Sequence, residues 1–255
     1  HYPLRRQRQM CIRDSPRLQA AFSKLGENFP KTSLRRLFSG GLAIFAFHFL
    51  PVWFLARLSR RTRHERQLLA RMFAEINWNV FHLDPSSSVY AGGKNALNGK
   101  IMDDTNAKAD CYSLYSCILA FVGMHWLARR VLQRAERFYS NIPDREKGGE
   151  FEYFQATVLW ASGDFVEADR IWRNSIRRLD RIRSHMANGP RHLLWHLWST
   201  IGDSNELILF AAEEGDIAVQ TSDPIVLAYS QYGLAEGFAR QGRTCLLYTS
   251  DAADE

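Results

Sequence analysis

The chain has 255 residues, 13% of them aromatic and seven of them tryptophan, and this composition excludes an intrinsically disordered protein. Its formal net charge of +6 comes from arginines spread over many segments, so the charge does not by itself indicate a nucleic-acid-binding protein, and we expect no nucleic-acid partner. The cysteines do not form the pattern of a disulfide-stapled secreted module, so we expect a cytoplasmic protein and leave membrane association open.

The DNA sequences that can encode the two ends of the chain are related to each other. Residues 10–15 (MCIRDS) can be encoded by ATG TGT ATA AGA GAC AGN, and residues 245–250 (CLLYTS) by TGT CTC TTA TAC ACA TCT. These strings are reverse complements over their shared segment, and the pair resembles translated transposon sequencing adapter. We therefore expect residues 1–15 and 245–255 to be non-native, and the natural protein to be an internal fragment of about residues 16–244.

Residues 16–60 form a basic and apolar helical lead-in. Within it, residues 38–56 (FSGGLAIFAFHFLPVWFLA) are nineteen residues without a charged side chain if the histidine is neutral, which reaches the lower length of a membrane span. Pro51 and the Gly40-Gly41 pair oppose a continuous helix. Two alternatives stay open: a segment inserted in a membrane, or a packed or interfacial helix pair broken near Pro51, with a basic collar.

Turn signals recur at a fixed spacing through the rest of the chain. The four glycines that carry them are separated by 40, 39 and 40 residues, and a further step of 39 towards the N-terminus reaches Asp84-Pro85. A constant period of this length is typical of helical-repeat arrays. We expect residues 61–244 to form helix–turn–helix units with turns near 84, 123, 163, 202 and 242. A non-repeating helical bundle is the alternative, and both are all-α.

The earliest unit, roughly residues 61–100, has the period but little further pattern. Gly92-Gly93 is expected to weaken its second helix. Residues 91–95 (AGGKN) superficially resemble a phosphate loop, but they lack the GxxxxGK[ST] spacing, so we reject a nucleotide site there. Asp103-Asp104 is interpreted as a loop or cap before a helix that carries two cysteines, Cys111 and Cys117, which we expect to be buried.

Two units carry a clear packing pattern around the glycine. In residues 150–179 (EFEYFQATVLWASGDFVEADRIWRNSIRRL) a small and a large residue precede the turn, and an aromatic, an alanine, a large and a small residue follow it. This order resembles the tetratricopeptide repeat. The predicted packing positions are Ala156, Leu159, Gly163, Phe165, Ala168, Trp172 and Ser175, and in the preceding unit Ser116, Leu119, Gly123, Ala128 and Ala135. The resemblance implies a right-handed superhelix of antiparallel helix pairs.

Three stretches resemble the repeat array at the end of large bacterial signalling proteins with a STAND-type ATPase. They are LARLSRRTRHERQLLARMFAEINW, CILAFVGMHWLARRVLQRAERF and ATVLWASGDFVEADRIWRNSIRRL. The resemblance implies a sensor or regulatory arm that binds a protein, a peptide or another domain of its parent chain. Catalytic residues of such a parent would lie outside this sequence, so we expect a scaffold that is not an enzyme and has no cofactor. The alternatives are a membrane-anchored repeat protein and a helical metal-dependent enzyme.

An arginine-rich helix follows the turn at Gly163. The members of a possible basic face for an acidic partner are Arg170, Arg173, Arg177 and Arg181. The alternative is a solvated outer face whose charges pair locally with Asp169 and Asp180.

His192 and His196 stand four residues apart in RHLLWHLW, which places both on one helix face, as zinc ligands require. The HExxH motif has a glutamate where this sequence has Leu193, and no third ligand is obvious nearby. We therefore expect ordinary packing beside Trp195 and Trp198, and no metal.

Overall fold

The computed structural model describes residues 20–59, 61–80, 84–140, 145–182, 185–221 and 224–243. All regular secondary structure within these ranges is helical, which confirms the predicted all-α class. The chain divides into two compact units, one up to Pro143 and one from Asp144. The adapter-like segments predicted at residues 1–15 and 245–255 lie outside the described residues.

The first unit is organised around one central helix. Its elements are α1, whose described part covers residues 20–24, α2 (Ser33–Phe49), α3 (Val52–Leu58), α4 (Arg63–Val80), α5 (Pro85–Lys100), α6 (Thr105–Phe121) and α7 (His125–Tyr139). Helix α5 packs against α2, α4 and α6, and α6 packs along α7. A cluster of buried side chains, among them Phe22, Leu69, Phe73 and Tyr90, joins α1, α4 and α5.

The second unit contains α8 (Arg145–Ala161), α9 (Phe165–Arg181), a single 3₁₀ turn (His185–Ala187), α10 (Asn188–Ile201), α11 (Ser204–Thr221) and α12 (Pro224–Arg240). Helices α8 and α9 pack closely across the turn that joins them, and so do α11 and α12. Helix α10 makes more limited contacts with α9 and α11. The turn at Gly202 therefore joins two helices that pack less closely than those at the preceding turns.

The predicted turn glycines all end helices. Gly123, Gly163, Gly202 and Gly242 have φ angles between 70° and 86°, a left-handed conformation that favours glycine because it has no Cβ. These four residues are the ones at which turns were predicted. Gly26, with a φ of 67°, ends α1 in the same way, although no turn was predicted there.

The turns share one hydrogen-bond pattern. At Gly163 the glycine amide donates to the carbonyl of Trp160 at 2.9 Å, and the next amide, of Asp164, donates to the carbonyl of Leu159 at 3.0 Å. The same two bonds, six-to-one and five-to-two, occur at Gly26, Gly123 and Gly242 and form the Schellman motif. At Gly202 the glycine amide donates to the carbonyl of Trp198 at 3.0 Å, which makes this turn the exception.

Aspartates begin two helices of the first unit. The carboxylate of Asp84 accepts from the amides of Ser86 and Ser87 at the start of α5, and Pro85 occupies the first helical position. The carboxylate of Asp104 accepts from the amide of Ala107 at 3.0 Å at the start of α6. Asp84 thus caps a helix next to the predicted turn near residue 84, and Asp104 of the Asp103-Asp104 pair caps α6.

The helical structure of the apolar lead-in is interrupted at Pro51, where the sequence predicted a break. Helix α2 ends at Phe49 and α3 begins at Val52, with Pro51 at the cap of α3. Among the described residues, no helix combines the length and the apolarity needed to cross a membrane.

Gly92 and Gly93, which were expected to weaken the second helix of this unit, do not interrupt α5. Both are buried inside the helix. A Cβ on Gly93 would lie 2.7 Å from the carbonyl oxygen of Gly40 in α2, and a Cβ on Gly92 would overlap the side chain of Ile118 in α6. The two glycines therefore allow neighbouring helices to approach the α5 backbone closely.

Candidate interaction surfaces

The predicted packing positions lie between helices rather than on a partner face. In α6 and α7, Ser116, Leu119, Ala128 and Ala135 are fully buried. In α8 and α9 the fully buried positions are Ala156, Ala168, Trp172 and Ser175. Small side chains at these positions let the paired helices approach closely, and the larger ones fill the space beside them.

Polar atoms inside the α8–α9 pair bond across it. The Ser175 hydroxyl donates to the carbonyl of Gly149 at 2.7 Å, and the indole of Trp172 donates to the carbonyl of Tyr153 at 3.2 Å. Four predicted positions are not buried: the turn glycines Gly123 and Gly163 are exposed, Leu159 is half-buried, and Phe165, the first residue of α9, is 36% exposed. Phe165 therefore contributes less to the packing than its place in the pattern predicts.

Two arginines of the predicted basic face are already paired within the second unit. The Arg170 guanidinium donates two hydrogen bonds to Glu167, at 2.7 and 2.5 Å. Arg173 pairs with Asp169 at 2.9 Å and with Glu206 of α11 at 3.3 Å. These pairs match the alternative of local charge compensation.

The remaining part of the basic face is smaller than predicted. Arg177 and Arg181 are exposed and form no ion pair with another described residue. Arg178 pairs with Glu152 at 3.2 Å. Asp180, expected to pair within its own helix, instead accepts from Arg191 of α10 at 2.6 Å. The side chains available to an acidic partner are those of Arg177 and Arg181.

The sequence interpretation missed a buried ion pair. Arg191 is 6% exposed, and its guanidinium donates to Glu214 of α11 at 2.8 Å. Burial raises the pKa of Glu214, and the positive charge of Arg191 lowers it. The effect of burial is the larger one, so the pKa is about 7. An available signal was the position of Arg191 on the same helical face as Leu194, a face that is otherwise apolar.

His192 and His196 lie in an aromatic cluster. Their Nε2 atoms are 3.1 Å apart, and the His192 ring lies 4.2 Å from that of Tyr229 and 6.1 Å from that of Trp195. Within the described part of the chain, no group of three His, Cys, Asp or Glu side chains could hold a metal ion. The adjoining cavity, lined by Arg191, Trp195, Glu214 and Tyr229 among others, has room for water.

Lys94, the lysine of the AGGKN stretch, is held by an ion pair. It lies 2.7 Å from the carboxylate of Glu27, which also accepts from Tyr90 at 2.9 Å and from Arg61 at 2.7 Å. Burial alone would raise the pKa of Glu27, but Lys94 and these hydrogen bonds outweigh it and hold the pKa below its usual value. The lysine is thus part of the connection between α5 and the residues that follow α1.

The most exposed apolar surface of the first unit is on α2. We define the apolar stripe as Leu34, Phe38, Leu42, Phe45 and Phe49, whose exposures range from 53% to 78%. Their spacing of three or four residues puts them on one helix face. Val52, Trp53, Phe54 and Leu58 of α3 are exposed as well. The two helices together present a contiguous run of apolar side chains along the chain.

Comparison with family models, curated proteins and solved structures gives no match for this chain.

Proposed function

We propose that this chain is a protein-interaction scaffold, built from tetratricopeptide-like helix pairs that stack into a right-handed superhelix. The observation that carries the proposal is the repeated turn. The same pair of hydrogen bonds and the same left-handed glycine occur at Gly123, Gly163 and Gly242, at multiples of about 40 residues. Repeated helix pairs offer extended surfaces suited to holding a peptide or a domain.

The available charge favours an acidic partner. Arg177 and Arg181 lie one helical turn apart on the exposed side of α9, so one carboxylate-bearing segment could contact both. The nearby arginines Arg170 and Arg173 are compensated by acidic neighbours and contribute less to such a contact. The mechanism is recognition, without a bond-making step.

Peptide selection against the immobilised full chain tests the scaffold. From a random library displayed on phage, we expect selected peptides enriched in Asp and Glu. Arg177→Glu with Arg181→Glu should weaken their binding about tenfold or more, because charge-assisted contacts become repulsive. Arg71→Glu with Arg129→Glu, which reverses the same number of exposed charges in the first unit, is the matched control and should bind as the wild type does. Equal affinities for all three proteins would contradict the proposed face.

We further propose that the scaffold is the sensor arm of a multidomain signalling ATPase. The three stretches that resemble such repeat arrays fall on α3–α4, on α6–α7 and on α8–α9. The uninterrupted gene provides the test, and we expect it to encode a nucleotide-binding domain ahead of these helices. A gene without such a domain would remove the ATPase part of the proposal and leave the scaffold part to the peptide experiment.

A further inference from the structure

The outward face of α2 is mainly apolar. Among the exposed residues of this helix, Arg35 alone is charged, and the apolar stripe occupies the centre of the face. Contiguous exposed apolar surface of this kind marks contact with a protein or a membrane.

The stripe is held outward by the opposite face of the same helix. Gly40, Ala43, Ala46 and Phe47 are buried, and the α2 backbone touches the α5 backbone at Gly40. A Cβ on Gly40 would lie 2.8 Å from the carbonyl oxygen of Val89, so a rotation that brought larger residues to this position would meet backbone atoms.

Charged side chains fasten both ends of α2. Near its start, Arg36 pairs with Asp84 and donates to the hydroxyl of Ser87 at 3.1 Å. At its end, Lys100 donates to the carbonyl of Leu50 at 2.6 Å and to that of Phe47. Because α2 is held at its middle and at both ends, it cannot rotate to bury the apolar stripe. The stripe can therefore be removed from water only by contact with another molecule.

The sequence that flanks the stripe carries only basic charges. Residues 28–64 contain no Asp or Glu and seven Lys or Arg. Of these, Lys31, Arg35 and Arg57 are exposed and form no ion pair with another described residue. Leu, Phe and Trp flanked by cations match an anionic bilayer surface, where apolar side chains enter the headgroup boundary and cations meet phosphates.

A second copy of the chain fits this surface less well. Two copies joined stripe to stripe by a two-fold axis would gather the unpaired cations Arg35 and Arg57 of both copies around one interface. Like charges placed together in this way oppose association.

We propose that α2 and α3 form a docking surface for anionic lipid membranes, with the apolar stripe and Trp53 in the headgroup region. The helices lie on the bilayer surface, and the face of α2 that packs against α5 remains inside the protein. This inference is independent of the proposed partner face at Arg177 and Arg181, which lies in the second unit.

Co-sedimentation of the full chain with vesicles tests the docking surface. We expect binding to phosphatidylcholine vesicles that contain phosphatidylglycerol, and much weaker binding to phosphatidylcholine alone. Phe38→Asp with Phe45→Asp should abolish binding, since it places two charges in the headgroup boundary. Arg35→Gln with Arg57→Gln should weaken binding about fivefold per residue. The matched control is Val166→Asp with Leu209→Asp, which alters two exposed apolar residues of the second unit and should bind as the wild type does.

Three outcomes would overturn the proposal. The first is equal binding to neutral and anionic vesicles, and the second is unchanged vesicle binding by the Phe38→Asp, Phe45→Asp protein. The third is a wild-type chain that does not bind vesicles and forms a dimer without lipid, when the Phe38→Asp, Phe45→Asp protein is a monomer. Circular dichroism checks that each variant is folded. If the aspartate variant does not fold, the arginine variant decides alone, and unchanged binding by it counts against the proposal. The peptide experiment with Arg177 and Arg181 is unaffected by any of these results.

Discussion

Gly40 of α2 and Gly93 of α5 meet backbone against backbone, so that a Cβ on Gly93 would lie 2.7 Å from the Gly40 carbonyl oxygen. The residue next to Gly40 is in the opposite situation, because a Cβ on Gly41 would meet no atom within 4 Å. The two adjacent glycines therefore have different surroundings: Gly40 allows α2 to contact α5 closely, and Gly41 faces outward.

This difference predicts opposite effects of the same substitution. Gly40→Ala should lower the free energy of unfolding by about 1–3 kcal/mol, because the methyl group meets the backbone of α5. Gly41→Ala is the matched control and should raise it by up to about 1 kcal/mol through helix propensity. Urea unfolding followed by circular dichroism measures both. Similar values for the two variants would show that α2 and α5 do not approach as described.

The turn at Gly163 gives a second prediction. Gly163→Ala should destabilise the protein by about 1–2 kcal/mol, because the residue has a φ of 86° and an L side chain is strained there. Gly163→Asn should cost less, since asparagine tolerates the left-handed conformation better. Thermal unfolding of the three proteins measures the order. An alanine variant as stable as the wild type would contradict the left-handed turn.

Glu214 predicts a pH dependence of stability. Its pKa is raised from 4.5 to about 7 by burial, so the folded state holds the proton more tightly than the unfolded chain does between these values. The stability that this proton contributes is present below about pH 4.5 and is lost as the pH rises through about 7. The expected loss is of the order of 1–3 kcal/mol.

Glu214→Gln provides the measurement for this group. The variant cannot titrate at this position, so the free energy of unfolding of the wild type minus that of the variant isolates the contribution of Glu214. Urea unfolding of both proteins over pH 4.5 to 7 should show this difference falling as the pH rises. A difference that rises over the same range would mean that the ion pair with Arg191 outweighs burial.

The two cysteines of α6 give a prediction about reactivity. Cys111 and Cys117 are buried, and burial raises the pKa of both thiols, so their thiolate forms are scarce. In a chain with Cys11→Ser and Cys245→Ser, Ellman's reagent should label neither thiol while the protein is folded and should label both in urea. Rapid labelling of the folded chain would contradict the burial of this helix.

Local signals account for the features that the sequence predicted well. The left-handed turns at Gly123 and Gly163 depend on the missing Cβ of one residue and on hydrogen bonds spanning six residues. The caps at Asp84 and Asp104 involve amides two or three positions along the chain. Such features are encoded within a single window of sequence.

Features that join distant residues were missed or misread. Arg191 and Glu214 pair across 23 positions, and Arg173 reaches Glu206 across 33. In the predicted basic face of α9, Arg173 is compensated partly by Glu206 of another helix, whereas Arg170 pairs with Glu167 of its own helix. The close contacts of Gly93 with α2 and of Gly92 with α6 could not be predicted from the sequence either.

The sequence by itself determined the helical class, the break at Pro51 and the positions of the glycine turns, because each follows from the conformational limits of single residues and their near neighbours. Only the tertiary structure decided which face of α2 is outward. That choice depends on Gly40 and Ala43 meeting α5, a helix that begins at Pro85, and the close approach of the two backbones leaves the larger apolar side chains in solvent.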